Sequence, residues 1–159
     1  MNAQPASASG PGLTLMIVDD DPDDLWMFGH LFRRACPEPG ELSLVAVADG
    51  AAALARIEQA LSAGEPLPDA ILLDMNMPGL SGLDVLAALR ARAGLDATPI
   101  IILSTAEDAV VAERALAAGA DAVFTKPDSM DSIACLAAGI FRTVLARRAP
   151  RPCCTKARA

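Results

Sequence analysis

Four places in the chain put chemically capable side chains directly after a short apolar run. Asp74 follows the run Ile71-Leu72-Leu73, and Asp19, Asp20 and Asp21 follow LTLMIV (13–18). Ser104 and Thr105 follow PIIIL (99–103), and Lys126 with Pro127 follows AVFT (122–125). Carboxylates held close together repel one another, and their pKa values rise unless a cation sits among them. Mg2+ suits such a group, because it takes oxygen ligands and is usually held by one or two carboxylates, waters and phosphate oxygens. A carboxylate is also a nucleophile toward a phosphoryl group, giving an aspartyl phosphate. That transfer depends on positioning and charge neutralisation. Lys126 offers the cation and Ser104 a hydroxyl donor for phosphoryl oxygens. Each residue alone has an ordinary reading: Asp21 as a helix cap, Lys126 as a solvated lysine, Ser104-Thr105 as turn chemistry. The reading rests on their conjunction at four segment ends.

The elements that must bring these ends together are legible. The runs LTLMIV, LSLVAV (42–47), AILL (70–73), PIIIL and AVFT are near-continuously apolar. This suits strands buried on both faces of a parallel sheet. Helical patterns lie between them. Asp21-Pro22 starts the first, with Leu25, Phe28, Leu31 and Phe32 at helical spacing. Asp23 and Asp24 suit its first turn. Leu54, Ile57 and Leu61 mark the second, before the Gly64–Pro68 loop. The third runs from about Leu83 to Arg92, and the fourth from about Asp108 to Ala118, stopping at Gly119. The fifth begins near Asp128, with Ile133, Leu136, Ile140 and Val144 on one face. Five β-then-α units predict an α/β domain with a parallel sheet and right-handed crossovers, and ligands in such folds bind at the carboxyl ends of the strands.

Composition limits the alternatives. The 159 residues suit one domain with short tails, expected as 1–12 and 149–159 around a folded 13–148. Aromatics make up only 3%, so Leu, Val, Ile and Ala must fill the core. A net charge of −7 argues against a general nucleic-acid-binding surface. No apolar run approaches the ~20 residues needed to span a bilayer. The N-terminus lacks a basic start and an apolar stretch, so it does not read as a secretory signal. Cys36, Cys135, Cys153 and Cys154 contain no C-x-x-C pair and His30 is the only histidine, so free thiols in a reducing cytoplasm are expected rather than a zinc site.

The motifs MIVDDDP, ILLDMNMPGLSG, IIILSTA and GADAVFTKP together resemble the receiver domains of bacterial two-component response regulators, over roughly residues 13–147. The resemblance implies a flavodoxin-like (βα)5 three-layer sandwich with strand order 2-1-3-4-5. It implies Asp74 as phosphoacceptor, Asp19 and Asp20 as the acidic pair organising Mg2+, and Asn76 lending its backbone carbonyl to the metal. Ser104 matches the switch hydroxyl, with Thr105 as a lesser substitute, and Lys126 the lysine that contacts the phosphoryl group. Lys126–Pro127 is usually a cis peptide in the family. The implied partners are a sensor histidine kinase or phosphotransfer protein and a downstream protein target, with no nucleic acid and no membrane. The chain is then expected to be a cytoplasmic monomer or weak homodimer, catalysing only its own phosphorylation and dephosphorylation.

Two departures stand out. The family's switch aromatic usually lies three residues before the lysine, where this chain has Val123, with Phe124 pointing the other way along the strand. The stretch from Asp20 to Asp74 is also somewhat longer than in the compact chemotaxis type, more like receivers beside phytochrome-type kinases. No output domain fits after Arg148, so a stand-alone receiver acting by protein contact is expected. The basic residues Arg147, Arg148, Arg151, Lys156 and Arg158 read as a solvated tail or a contact for an acidic partner. A phosphorylation-independent module or a phosphate sink is an alternative. A phosphatase of the haloacid dehalogenase type needs a second carboxylate two residues after the nucleophile, where Asn76 stands.

Overall fold

The computed structural model describes residues 12–36, 42–105, 109–127 and 130–148. Five strands, β1 (Leu13–Val18), β2 (Leu42–Val47), β3 (Ala70–Asp74), β4 (Ile100–Ser104) and β5 (Ala122–Thr125), alternate with five helices. These are α1 (Pro22–Ala35), α2 (Gly50–Ala63), α3 (Gly82–Arg90), α4 (Ala109–Ala117) and α5 (Met130–Arg148). All strand pairs are parallel, in the order β2-β1-β3-β4-β5 that the resemblance implies. β3 and β4 each run one residue beyond the apolar stretch, so Asp74 and Ser104 are themselves strand residues. The expected tails and part of the CPEPGE segment lie outside the described residues, save Gly12 and Cys36. Arg147, expected in the basic tail, belongs to α5 and ion-pairs with Asp121.

Apolar residues alternate across the sheet into two cores. Met16, Val18, Ile71, Leu73, Ile100 and Ile102 pack beneath α2, α3 and α4. Leu15, Ile17, Leu72, Ile101 and Leu103 pack beneath Phe28 and Phe32 of α1 and Leu136, Ile140 and Val144 of α5. Burial on both faces explains the near-continuous apolar sequence of the central strands β1, β3 and β4, while the edge strands β2 and β5 are only part-buried.

The helices start where their caps dictate. The Asp21 side chain accepts from Asp23 N–H at 2.9 Å, with Pro22 at the first helical position. Asp49 accepts from Ala52 N–H at 2.6 Å and starts α2. Gly64 ends α2 in the left-handed region, φ 68°, where a side chain would be strained. Ser81 and Asp84 form a reciprocal capping box at α3. α3 ends two residues before the expected Arg92, whose guanidinium turns back to the Ala88 carbonyl and Glu58. At the amino ends of β4 and β5, Asp121 accepts from Ile100 N–H at 2.8 Å and from Arg90 at 2.6 Å.

The order reverses between β1 and β3. β1 leads to β2 on one side, whereas β3, β4 and β5 build outward on the other. A crevice opens at the carboxyl ends of strands at such a point. Val18 pairs with Leu73, so Asp19 and Asp74 emerge side by side. α3 starts against this edge: a Cβ on Gly82 would lie 2.5 Å from the Asp74 carbonyl oxygen and 2.8 Å from Met75 Cα. Both are backbone atoms that cannot swing aside. Gly82→Ala therefore lowers stability by about 1–3 kcal/mol, the usual cost of forced overpacking. Urea unfolding checks this through a lowered midpoint at unchanged slope.

Candidate functional site

Three main-chain bonds extend the parallel ladders past the strand ends. Asp19 N–H donates to Val47 O at 3.0 Å, Met75 N–H to Leu103 O at 2.9 Å, and Lys126 N–H to Ser104 O at 2.7 Å. These bonds tie the backbone at Asp19, Met75 and Lys126 to the sheet. Side-chain alternation sets their direction. Val18, Leu73 and Val123 face the α2–α4 core, so Asp19 and Asp74, each one residue on, and Lys126, three on, face the α1–α5 side.

The Lys126 ammonium closes this group. Its Nζ lies 2.6 Å from Asp19 Oδ2, 2.7 Å from Asp24 Oδ2 and 3.2 Å from Asp74 Oδ1. The first two are well-formed charge-assisted hydrogen bonds. Asp74 Oδ1 is close enough for ionic attraction, yet no hydrogen bond to this buried atom is aligned among the described residues. Asp19 and Asp74 are buried and Asp20 is exposed at the rim. Asp19 also accepts from Asp21 N–H at 3.0 Å, which ties the acidic turn to the start of α1.

The other expected residues surround this centre. Ser104 is buried at the end of β4, and Thr105 is exposed beside it. Asn76 donates its side-chain amide to Thr105 Oγ1 at 3.3 Å across the rim. All peptide bonds of the described residues are trans, Lys126–Pro127 included, against the cis bond the resemblance implies. The isomers of an X–Pro bond differ by only about 0.5–1 kcal/mol, so local packing decides between them. Val123 packs against the α2–α4 core, whereas Phe124 packs in the α1–α5 core, where a Cβ on Gly139 would meet its ring at 3.1 Å. The fifth strand therefore offers no aromatic ring on the α4 side.

Asp24 is the site residue the sequence reading missed, assigning it only to the first turn of a helix. Its position carried a signal. Helical side chains point back toward the N-terminus, and this one lies a single turn into a helix that starts at the acidic cluster.

The donor set fits a hard divalent cation. Asp19, Asp20 and Asp74 each offer a carboxylate oxygen within 4.8 Å of the others, and one buried Asp74 oxygen has no hydrogen bond among the described residues. Oxygen-only donors of this density suit Mg2+.

Burial raises the Asp74 pKa above its ordinary 3.8. Lys126 pulls it down and Asp19 pushes it further up, and the raising effects prevail. Burial would lower that of Lys126, but its bonds to Asp19 and Asp24 and the charges of Asp74 and Asp19 outweigh this and raise it. For Asp74 the folded chain therefore holds the proton more tightly than the unfolded chain does. The cost to stability appears as pH rises from 3.8 through the folded value and is fully present at neutrality. Without divalent cations, Asp74→Asn is expected to unfold at higher urea than wild type at pH 7. The difference should vanish as pH falls below 3.8.

Residues 15–137 match the family model described as the response regulator receiver domain. The transcriptional regulatory protein KdpE of Mycobacterium tuberculosis is 34% identical over 139 residues, 87% of this chain and 55% of KdpE. The probable transcriptional regulatory protein TcrX of the same species is 35% identical over 128 residues, 79% of this chain and 48% of TcrX. The chain thus spans about half the length of the curated relatives it matches. Among solved structures, the phosphorylated cyanobacterial phytochrome response regulator RcpA superposes with TM-score 0.73 at 26% identity, covering 89% of this chain and 99% of RcpA. The chemotaxis protein CheY4 of Vibrio cholerae gives TM-score 0.68 at 25% identity, over 83% and 98% of the two chains. With the family model spanning most of the sheet and its crevice, the chain belongs to the receiver-domain family of bacterial two-component response regulators.

Proposed function

We propose that this receiver takes a phosphoryl group from a phosphohistidine, on a sensor histidine kinase or phosphotransfer protein, onto Asp74. The observation that carries this is the convergence of Asp19, Asp74 and Lys126 at one sheet edge, with an Asp74 oxygen near the ammonium that finds no hydrogen-bond partner among the described residues. A carboxylate oxygen of Asp74 attacks phosphorus, the P–N bond breaks, and the imidazole leaves with the bond's electron pair. An acyl phosphate on Asp74 and a free histidine result.

The protein's own work in this step is positioning and charge neutralisation. The β1–β3 register holds Asp74 beside Asp19. Lys126 lies within ionic reach of Asp74 and offers its charge to the incoming phosphoryl oxygens. Ser104, buried at the end of β4, supplies the hydroxyl that the phosphoryl group draws in. Asp19, Asp20 and Asp74, with the Asn76 carbonyl, would hold Mg2+, which when bound supplies countercharge to the phosphoryl oxygens.

Signal output in this reading comes from a population shift on the face built by α4, β5 and α5, to which a partner protein binds or from which it is released. Val110 and Leu116 on α4 and Leu145 on α5 are exposed large apolar side chains on two of these elements. Val123 replaces a rotating ring, so repacking of the β4–α4 region carries the change.

Incubation with acetyl phosphate and Mg2+ followed by intact-mass measurement tests the proposal. Wild type should gain one hydroxylamine-labile phosphoryl group, and Asp74→Asn or a chelator should abolish the gain. An equal gain by Asp74→Asn would refute the assignment.

A further inference from the structure

The ammonium of Lys126 has three protons to donate. Two short bonds, 2.6 and 2.7 Å, commit it to Asp19 and Asp24, while Asp74 Oδ1 is left at 3.2 Å without an aligned hydrogen bond. Asp19 belongs to the cluster of carboxylates that can share a cation, together with Asp20 and Asp74. Asp24 lies outside that cluster. It reaches Lys126 from α1, across 102 residues of sequence. When Asp19 serves a metal, Asp24 is therefore the carboxylate left competing for the lysine.

A phosphoryl group on Asp74 sharpens this competition. Its oxygens need the same ammonium, and their charge is repelled by any carboxylate held nearby. Both effects have one sign: the Asp24 carboxylate favours the site before phosphorylation and opposes it afterwards. Asp24 is buried enough for its bond to count, with its side chain 27% exposed and that of Lys126 10%. Asp23 provides an internal contrast. It sits on the same turn and carries the same charge, but is exposed and is not among the carboxylates that hold Lys126.

We propose that Asp24 is a positioning residue that draws Lys126 away from Asp74 in the resting chain, and thereby weakens the hold of the site on a phosphoryl group. The inference rests on Asp74 being the phosphoacceptor. It assigns Asp24 no contact with the reacting atoms; the residue acts through Lys126.

Beryllofluoride, a tetrahedral stand-in for a phosphoryl group on a carboxylate, provides a binding readout separate from turnover. Its Kd is measured by titration calorimetry in saturating Mg2+ for the full chain. Asp24→Asn should bind about 3- to 10-fold more tightly than wild type, as expected for loss of one part-exposed charge-assisted bond. Asp24→Glu, which restores the charge, should lie within about 2-fold of wild type, and so should Asp23→Asn, since single exposed charges have small effects. Unchanged or weaker binding by Asp24→Asn overturns the inference. Equal tightening by Asp23→Asn does so too, because bulk charge would then explain the effect. Wild type that binds no beryllofluoride and gains no phosphoryl group from acetyl phosphate overturns the phosphoacceptor reading instead, and the inference falls with it.

Discussion

One ammonium against several carboxylates is the interaction on which this site depends. Lys126 meets Asp19, Asp24 and Asp74 within 3.2 Å, with Asp20 at the rim. Removing a lysine from water is costly, and carboxylates packed together are costly as well. Each cost is tolerable only because the other is present. The arrangement is nevertheless incomplete, since negative groups outnumber the single ammonium and one Asp74 oxygen lacks an aligned donor. An imbalance of this kind makes the edge receptive to further positive charge and to a group that brings oxygens toward the lysine.

The sheet makes the interaction possible. Lys126 and Asp19 are 107 residues apart in sequence, and only parallel register brings them within bonding distance. Val18 opposite Leu73 sets Asp19 beside Asp74, and Ser104 opposite Thr125 delivers Lys126 to the same edge. The two apolar cores fix that register, because a one-residue slip would turn each strand's side chains to the wrong face. The link from core to chemistry is thus direct: Leu72 and Leu73 hold the strand that carries Asp74. Gly82 sets a second limit, since α3 approaches the Asp74 backbone too closely for any side chain there.

Most of this was readable from sequence, for physical reasons. The central strands β1, β3 and β4 are buried on both faces and must be apolar nearly throughout, so they appear as runs, and the ends of all three carry site residues. Asp21 announces a helix start because caps depend on local residues. Asp24 was not recognised, because a carboxylate in a first helical turn already has a sufficient local explanation in the helix dipole. Its partner is 102 residues away and no local pattern reports it. The state of Lys126–Pro127 escaped for a related reason: a small intrinsic preference leaves the outcome to tertiary packing. Arg147 was read as part of a charged tail, but its charge is spent on Asp121.

The central claim is that Lys126 supplies the positive charge this acidic edge needs, and that a divalent cation can replace part of that supply. Urea unfolding of Lys126→Met, with a chelator and again with millimolar Mg2+, tests it most directly. The account predicts a loss of about 3 kcal/mol in chelator, the scale for breaking a buried pair from one side. Much of that loss should be recovered in Mg2+, leaving the variant more strongly stabilised by the metal than wild type. A variant as stable as wild type in chelator, or a loss that Mg2+ does not reduce, would contradict the account.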